Sequence, residues 1–140
     1  MHLAFENTIP NLVLFWTGRY KGLDSGQAYV IPNTIWQDIG AATVKSRSTI
    51  PSCFGVSTPD PFNDYGSFTA ESWLMWCFFV GPVVLRGRFS SEAYYNHFCR
   101  LVRLFRICLQ LEISTEEVED LRAGFQQWVK DYERWVHTKA

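Results

Sequence analysis

The chain has 140 residues, 47% of them hydrophobic and 16% aromatic, and a formal net charge of −1. This composition argues against intrinsic disorder, which requires low hydrophobicity and high net charge. It also lacks the overall positive charge expected of many autonomous nucleic-acid-binding domains. The length predicts a single ordinary domain over residues 1–140, large enough to bury a real core.

The first half of the chain predicts two helices. Residues 2–17 carry an apolar helical pattern that Gly18 is placed to end, and Pro10 should kink or split this helix near residues 7–9. A second helix is expected over residues 33–45. The first helix is therefore expected in two pieces.

A long loop is predicted between the second and third helices, over residues 46–68. Pro51, Pro59 and Pro61 make the breakers in this segment too dense for regular structure. Loops of this length inside a compact domain are often functional or inserted. Lengthening this loop is expected to cost little stability.

A third helix is predicted over residues 70–80, with Thr69 as its N-cap and Glu71 favourably placed in its first turn. Its apolar side chains cover every direction of the helical wheel, so the helix should be buried against the last two helices. Gly81-Pro82 should break or bend it.

Residues 90–111 predict a central amphipathic helix with two apolar strips. A last helix over 115–137 should begin at a capping box formed by Ser114 and Glu117, with a hydrophobic staple between Ile113 and Val118. The short connection predicts that these two helices pack antiparallel. The core side chains expected at their interface are Phe98, Leu101, Phe105, Leu121, Phe125 and Trp128. The predicted fold is therefore mainly α, with about five helices and one long proline-rich loop.

The four cysteines form neither a C-x-x-C pair nor a zinc-like grouping with histidines. Cys77, Cys99 and Cys108 lie within apolar helical patterns and are expected to be small buried hydrophobes, whereas Cys53 lies in the loop. The N-terminus does not resemble a secretory signal, and the longest apolar run, residues 73–85, is too short to span a bilayer. We therefore expect an intracellular protein with free thiols and no membrane segment.

The sequence contains no convincing catalytic constellation. Acids at Asp24, Asp60 and Asp64 lie at predicted turns, not on apolar strands where a two-metal site would be rigidly held. His97 is the best candidate for proton transfer, but its position at the edge of an apolar face favours a hydrogen-bonded structural histidine. The Glu133-Arg134 pair lies on the predicted solvent side of the last helix. We expect no enzyme activity, no metal and no cofactor.

Three arginines of the central helix, Arg100, Arg103 and Arg106, are spaced to line one helix edge, where they could contact a phosphate backbone. The simpler interpretation is that they pair with acids of the neighbouring helix. Both interpretations stay open at this stage.

Several segments, in order, resemble the transposase-domain proteins of fungi that belong to the CACTA (En/Spm-like) group of DNA transposons. The segments are MHLAFENTIPNLVLFWTGRYKG, STIPSCFG, FTAESWLMW, GPVVLRGRF and YYNHFCRLV, followed by a Glu-Ile pair and a later Trp and Tyr-Glu pair. The resemblance extends over nearly all 140 residues.

The resemblance implies an RNase H-like core with an Asp-Asp-Glu triad that binds two divalent metals. In the family the second Asp immediately precedes a Met-His pair, to which Met1-His2 would correspond. The chain would then be the helical region between the second and third catalytic acids, and no catalytic residue can be transferred to it. The family's Cys/Asp-x-x-His element has its nearest match at residues 70–73, which keep neither end.

Two functional hypotheses follow. One is a non-catalytic, transposase-derived helical fragment that binds DNA or protein, with a nuclear location if that function is retained. The other is a helical protein–protein interaction module unrelated to DNA. For either, self-association or a protein partner is expected through an apolar surface made of Leu104, Ile107, Leu111, Phe15 and Trp16, and DNA contact through the three arginines is secondary.

Overall fold

The computed structural model describes residues 3–22 and 26–137, and these are mainly helical, with no strand among them. The predicted fold class is therefore confirmed. The chain divides into two compact units, residues 1–91 and residues 92–140. The prediction of one domain over residues 1–140 stays a prediction.

The first helix of unit 1 changes its helix type within residues 7–9, where Pro10 was expected to kink or split it, and it is not split there. A π-helical turn, Leu3–Thr8, passes directly into helix α1, Ile9–Trp16, with Pro10 in the first turn of α1. Proline lacks an N–H, and its ring collides with the carbonyl four residues earlier, so a wider turn before it relieves the clash. The proline thus changes the helix type without ending the helix.

Helix α2, Asn33–Ser46, follows closely the predicted range of residues 33–45. Its Trp36 is fully buried, and the indole Nε1 donates a hydrogen bond of 3.1 Å to the carbonyl of Trp16. The backbone N–H of Ile31 donates to the same carbonyl at 2.7 Å. These two donors satisfy a carbonyl that the end of α1 leaves without a helical partner.

The third predicted helix is a continuous segment of three pieces. Helix α3, Ala70–Met75, is followed by a π-helical turn, Trp76–Val80, and by helix α4, Gly81–Val84. Thr69 is the N-cap, as predicted, and it forms a capping box with Ser72. Gly81-Pro82 was expected to break or bend the helix; it does not break it, because helical structure continues through a π turn that again lies directly before the proline.

This segment is buried on most sides but not on all. Trp73, Trp76 and Cys77 are buried, whereas Phe79 is 49% exposed. Within unit 1 the segment packs against the first helix, where Phe5 and Phe78 meet edge to face with ring centroids 5.8 Å apart. The expected packing against the last two helices stays a prediction.

The 46–68 loop is ordered around the buried carboxylate of Asp60. Its Oδ1 accepts hydrogen bonds from the backbone N–H groups of Phe62 (2.8 Å) and Asn63 (3.0 Å), and its Oδ2 accepts one from Nδ2 of Asn63. The carboxylate also packs against Gly40 of α2, where a Cβ would overlap it. This part of the loop is therefore fixed against α2.

The expectation that Phe15 and Trp16 are exposed is wrong, because both are buried. The ring of Phe15 stacks on Tyr20, with centroids 4.1 Å apart, and meets Tyr29 edge to face. The indole of Trp16 meets Phe89 edge to face at 5.3 Å. Residues outside the helices thus cover the end of α1.

Unit 2 is a helical hairpin of α5, Glu92–Cys108, and α6, Thr115–His137. The antiparallel pairing is confirmed: residues near the start of α5 contact the end of α6, as Tyr94 does with Trp135, and Phe105 contacts Phe125. The capping box is also confirmed, because Ser114 N donates to Glu117 Oε2 at 2.8 Å and Glu117 N donates to Ser114 Oγ at 3.1 Å.

The predicted core of the hairpin is only partly confirmed: its α5 residues are buried, but only one of its three α6 residues is. Phe98, Leu101, Phe105 and Trp128 are buried, but Leu121 and Phe125 are half-buried.

The expected exposure of Leu104 is wrong: it is buried, because α6 presents Gly124 to it and the two helices approach closely there. Cys77 is buried as expected, Cys99 is half-buried, and the expected burial of Cys108 is wrong because its thiol is exposed.

Candidate interaction surface

The first of the three candidate arginines, Arg100, is engaged within the hairpin. Its Nη2 donates to Oδ2 of Asp131 at 3.0 Å. Oδ1 of the same carboxylate accepts from Nε2 of Gln127 at 3.2 Å and lies 3.4 Å from Nη2 of Arg134. Asp131 is largely buried, and these donors satisfy both of its carboxylate oxygens. Arg100 therefore joins α5 to α6 through an ion pair. Pairing with an acid of the neighbouring helix was the simpler of its two predicted roles.

The other two arginines, Arg103 and Arg106, are exposed on α5. A phosphate could approach these two side chains from solvent without disturbing the ion pair between Arg100 and the buried carboxylate of Asp131. Glu133 is exposed and Arg134 approaches Asp131, which agrees with the predicted solvent side of α6.

His97 forms two hydrogen bonds with Trp128 and stacks on its ring. Trp128 Nε1 donates to the backbone carbonyl of His97 at 2.9 Å, and His97 Nε2 lies 2.9 Å from the backbone carbonyl of Trp128. Since a carbonyl only accepts, Nε2 must carry the proton. The two rings are nearly parallel, with centroids 4.2 Å apart.

Burial lowers the pKa of His97 to about 4, so the imidazole is neutral at pH 7. Desolvation is the main cause; the nearby Arg100 adds to it, while the bond to the Trp128 carbonyl and the charge of Asp131 act in the opposite direction. A buried ring with this hydrogen bond already formed serves to fix the hairpin. This agrees with the structural role that its position on the helix favoured.

One apolar surface of unit 2 lies along α6. Helix α5 covers the side of α6 that carries Gly124, Trp128 and Trp135, and the adjacent side stays open. There, Val118 is 45% and Val129 is 43% exposed. We call this surface the open face of α6; it consists of Val118, Phe125, Val129, Tyr132 and Val136, of which Phe125, Tyr132 and Val136 are half-buried.

The open face replaces most of the surface predicted from sequence. Of the residues expected to meet a partner, Leu104, Phe15 and Trp16 are buried, Ile107 is half-buried and only Leu111 is fully exposed. The sequence did contain a signal for the open face. Its apolar stripe is about 120° wide and extends beyond the side of α6 that α5 covers.

Unit 1 contains a cleft of about 380 Å³ whose lining includes the aromatic side chains of Phe5, Phe68 and Trp73. Its titratable lining residues are Glu6 and Tyr65. Burial raises the pKa of Tyr65, and its hydroxyl donates to the carbonyl of Pro10 at 3.1 Å.

Within residues 3–22 and 26–137, no three side chains of His, Cys, Asp or Glu come together in a way that could hold a metal ion. No helix in the same ranges is long and apolar enough to cross a membrane. Asp24 and the Met1-His2 pair lie outside the described residues. No protein-family model, curated protein or solved structure matches the chain.

Proposed function

We propose that this chain is a non-catalytic helical module, derived from a DNA transposase, that binds a helix of another protein molecule through the open face of α6. The observation that carries the binding proposal is the exposure of Val118 and Val129 on a helix whose apolar stripe is broader than its contact with α5. Apolar side chains aligned along one helix are the usual anchors in helix–helix recognition.

The transposase origin is supported by the ordered resemblance of the sequence segments and by the mainly helical fold that the resemblance implies. The coding sequence upstream of Met1 tests it. Remnants of a transposase core upstream of Met1, whether intact or interrupted, would support this origin. Upstream sequence with no trace of such a core would count against it.

The non-catalytic part of the proposal rests on the absence of a converging acid cluster in the described residues. Purified protein incubated with Mg²⁺ or Mn²⁺ and labelled terminal-repeat DNA should leave the DNA intact, because no set of carboxylates within residues 3–22 and 26–137 could hold two metals. Metal-dependent cleavage that copurifies with the protein through successive columns would overturn this part.

The binding proposal is tested with a labelled 23-residue synthetic helix carrying Leu at heptad positions a and d and Lys or Glu elsewhere. Fluorescence anisotropy should show binding to wild type, at protein concentrations too low for copies to meet. Val129→Glu should abolish binding, because it places a charge in the apolar contact. The matched control, Ala123→Glu, adds the same charge to an exposed position away from the open face and should bind like wild type.

Far-UV circular dichroism of both variants should match wild type, since both positions are substantially exposed. Equal binding by the two variants, or no binding by wild type, would refute the open face as a helix-binding surface.

A second proposal is DNA contact through Arg103 and Arg106, favoured by their exposure on one helix. Two phosphate contacts predict a shallow salt dependence, with log K falling by about 1.8 per decade of salt. Arg103→Glu should weaken binding to any duplex sequence and make this slope shallower. Binding to labelled duplex DNA that is unchanged by Arg103→Glu would remove this second proposal.

A further inference from the structure

The polar edge of the open face carries charges that point to a particular partner. We infer that the helix bound by the open face is α6 of a second copy of this chain, packed antiparallel about a two-fold axis. This inference rests on the proposed function and names its partner.

The edge of the open face that lies away from α5 is formed by polar side chains. On the helical wheel Arg122 and Glu133 lie within about 20° of each other, three turns apart along the axis, with Gln126 between them. Both charged residues are exposed. One helix edge therefore carries a positive charge near one end of the apolar surface and a negative charge near the other.

A two-fold axis perpendicular to α6 brings this edge against the same edge of the second copy, running in the opposite direction. If the axis crosses α6 at the level between Gln127 and Trp128, Arg122 of each copy faces Glu133 of the other. Because the axis is two-fold, the pair of Arg122 and Glu133 forms twice in the dimer. Phe125 of each copy then lies beside Val129 of the other, so the apolar and charged contacts are formed in the same register.

A parallel arrangement lacks this match. It would place the polar edge of one copy against the α5 side of the other, and Arg122 and Glu133 would have no opposite charge across the interface. Charge pairs at the border of an apolar seam commonly determine orientation and partner choice. Arg122 and Glu133 are therefore the residues that select an antiparallel second copy over other amphipathic helices.

The test is sedimentation velocity of the full chain over a concentration series. Wild type is expected to dimerise. Arg122→Glu and Glu133→Arg should each raise the dimer dissociation constant about tenfold or more, because each turns two attractive contacts into two repulsive ones. The double variant Arg122→Glu/Glu133→Arg restores opposite charges and should return to within about threefold of wild type.

A mixture of the two single variants provides an independent check. In a mixed dimer, the Glu introduced at position 122 faces the Arg introduced at position 133, and the unchanged Arg and Glu face each other. The mixture should therefore dimerise nearly as well as wild type, although neither variant does so alone. Only a pairing of Arg122 with Glu133 across the interface predicts this recovery.

Several outcomes would overturn the inference. One is a wild-type chain that stays monomeric at tens of micromolar; another is a double variant whose defect is the sum of the two single defects. If the chain is monomeric and yet binds the synthetic helix in a manner that depends on Val129, the second copy is the wrong partner while the open face remains a binding surface. If it binds neither, the proposed function fails as well.

Discussion

His97 and Trp128 connect the two helices of unit 2 through complementary atoms. Each backbone carbonyl receives a hydrogen bond from the other residue's ring, and the rings stack. The neutral imidazole is the form that the buried site favours, since protonation would leave a charge in a site of low polarity. The stability of the hairpin is therefore linked to pH.

The pKa of His97 is lowered to about 4 in the folded chain, against about 6.5 in the unfolded chain. Between these values the unfolded state binds more protons, so stability falls as the pH falls from about 6.5 towards 4. At pH 5 the loss should be about 2 kcal/mol relative to pH 7.5. Urea unfolding of wild type and His97→Gln at both pH values measures it.

His97→Gln should be less stable at pH 7.5 but should lose about 2 kcal/mol less than wild type on acidification. The difference between the two proteins isolates this residue from the carboxylates and from the other histidines. Identical pH dependences would show that His97 is not the responsible group.

Gly40 and Gly66 offer a matched pair of glycine substitutions in unit 1. Gly40→Ala should destabilise by about 1 to 3 kcal/mol, because the new Cβ displaces a carboxylate of Asp60 that three hydrogen bonds hold. This outweighs the gain of about 1 kcal/mol in helix propensity. Gly66→Ala meets nothing within 4 Å and should be neutral or slightly stabilising. Chemical unfolding measures the stability of both variants. A Gly40→Ala variant more stable than wild type would contradict the close contact between Gly40 and Asp60.

At the scale of elements, the two prolines within helical segments, Pro10 and Pro82, each lie just after a π turn. Pro10 follows Leu3–Thr8, and Pro82 follows Trp76–Val80. The same physical conflict, a ring without an N–H meeting the previous turn, is relieved in the same way twice. The sequence predicted a kink or split at the first proline and a break or bend at the second, because the wheel pattern contains no signal for a π turn.

Helix starts were predicted well because their signals are local. The reciprocal bonds of Ser114 and Glu117 need only a spacing of three residues, and Thr69 likewise acts as the predicted cap. The burial of Phe15, Trp16 and Leu104 could not be predicted in this way. It depends on Tyr20, Phe89 and Gly124, and periodicity within one helix does not indicate which distant residues approach it.

The start of α6 gives a prediction at this scale. Ser114→Ala should destabilise by about 1 kcal/mol, because the N–H of Glu117 loses its side-chain acceptor. Thr115→Ala, at the first helical residue, is the control and should change stability by less than about 0.5 kcal/mol. Amide hydrogen exchange in the first turn of α6 should accelerate only in Ser114→Ala. Equal exchange in both variants would show that the capping box does not hold this turn.

At the scale of the whole molecule, the 46–68 loop has two different parts. Thr58, Asp60 and Phe62 are buried, whereas residues 51–57 are exposed. Two arginines from outside the buried part donate hydrogen bonds to its backbone carbonyls. Arg19 Nη1 donates to the carbonyl of Phe62, and Arg47 Nε donates to that of Thr58, each at 2.9 Å. The density of prolines predicted irregular structure here, but it contained no information about these long-range bonds.

These contacts predict that the loop tolerates lengthening only in its exposed part. Gly-Ser-Gly inserted between Val56 and Ser57 should cost about 0.5 kcal/mol, since closure entropy grows slowly with length. The same insertion between Asp60 and Pro61 should cost about 3 kcal/mol or more, because Phe62 and Asn63 can no longer donate to the buried carboxylate. Tryptophan fluorescence during urea unfolding measures both, and equal costs would show that Asp60 does not anchor the loop.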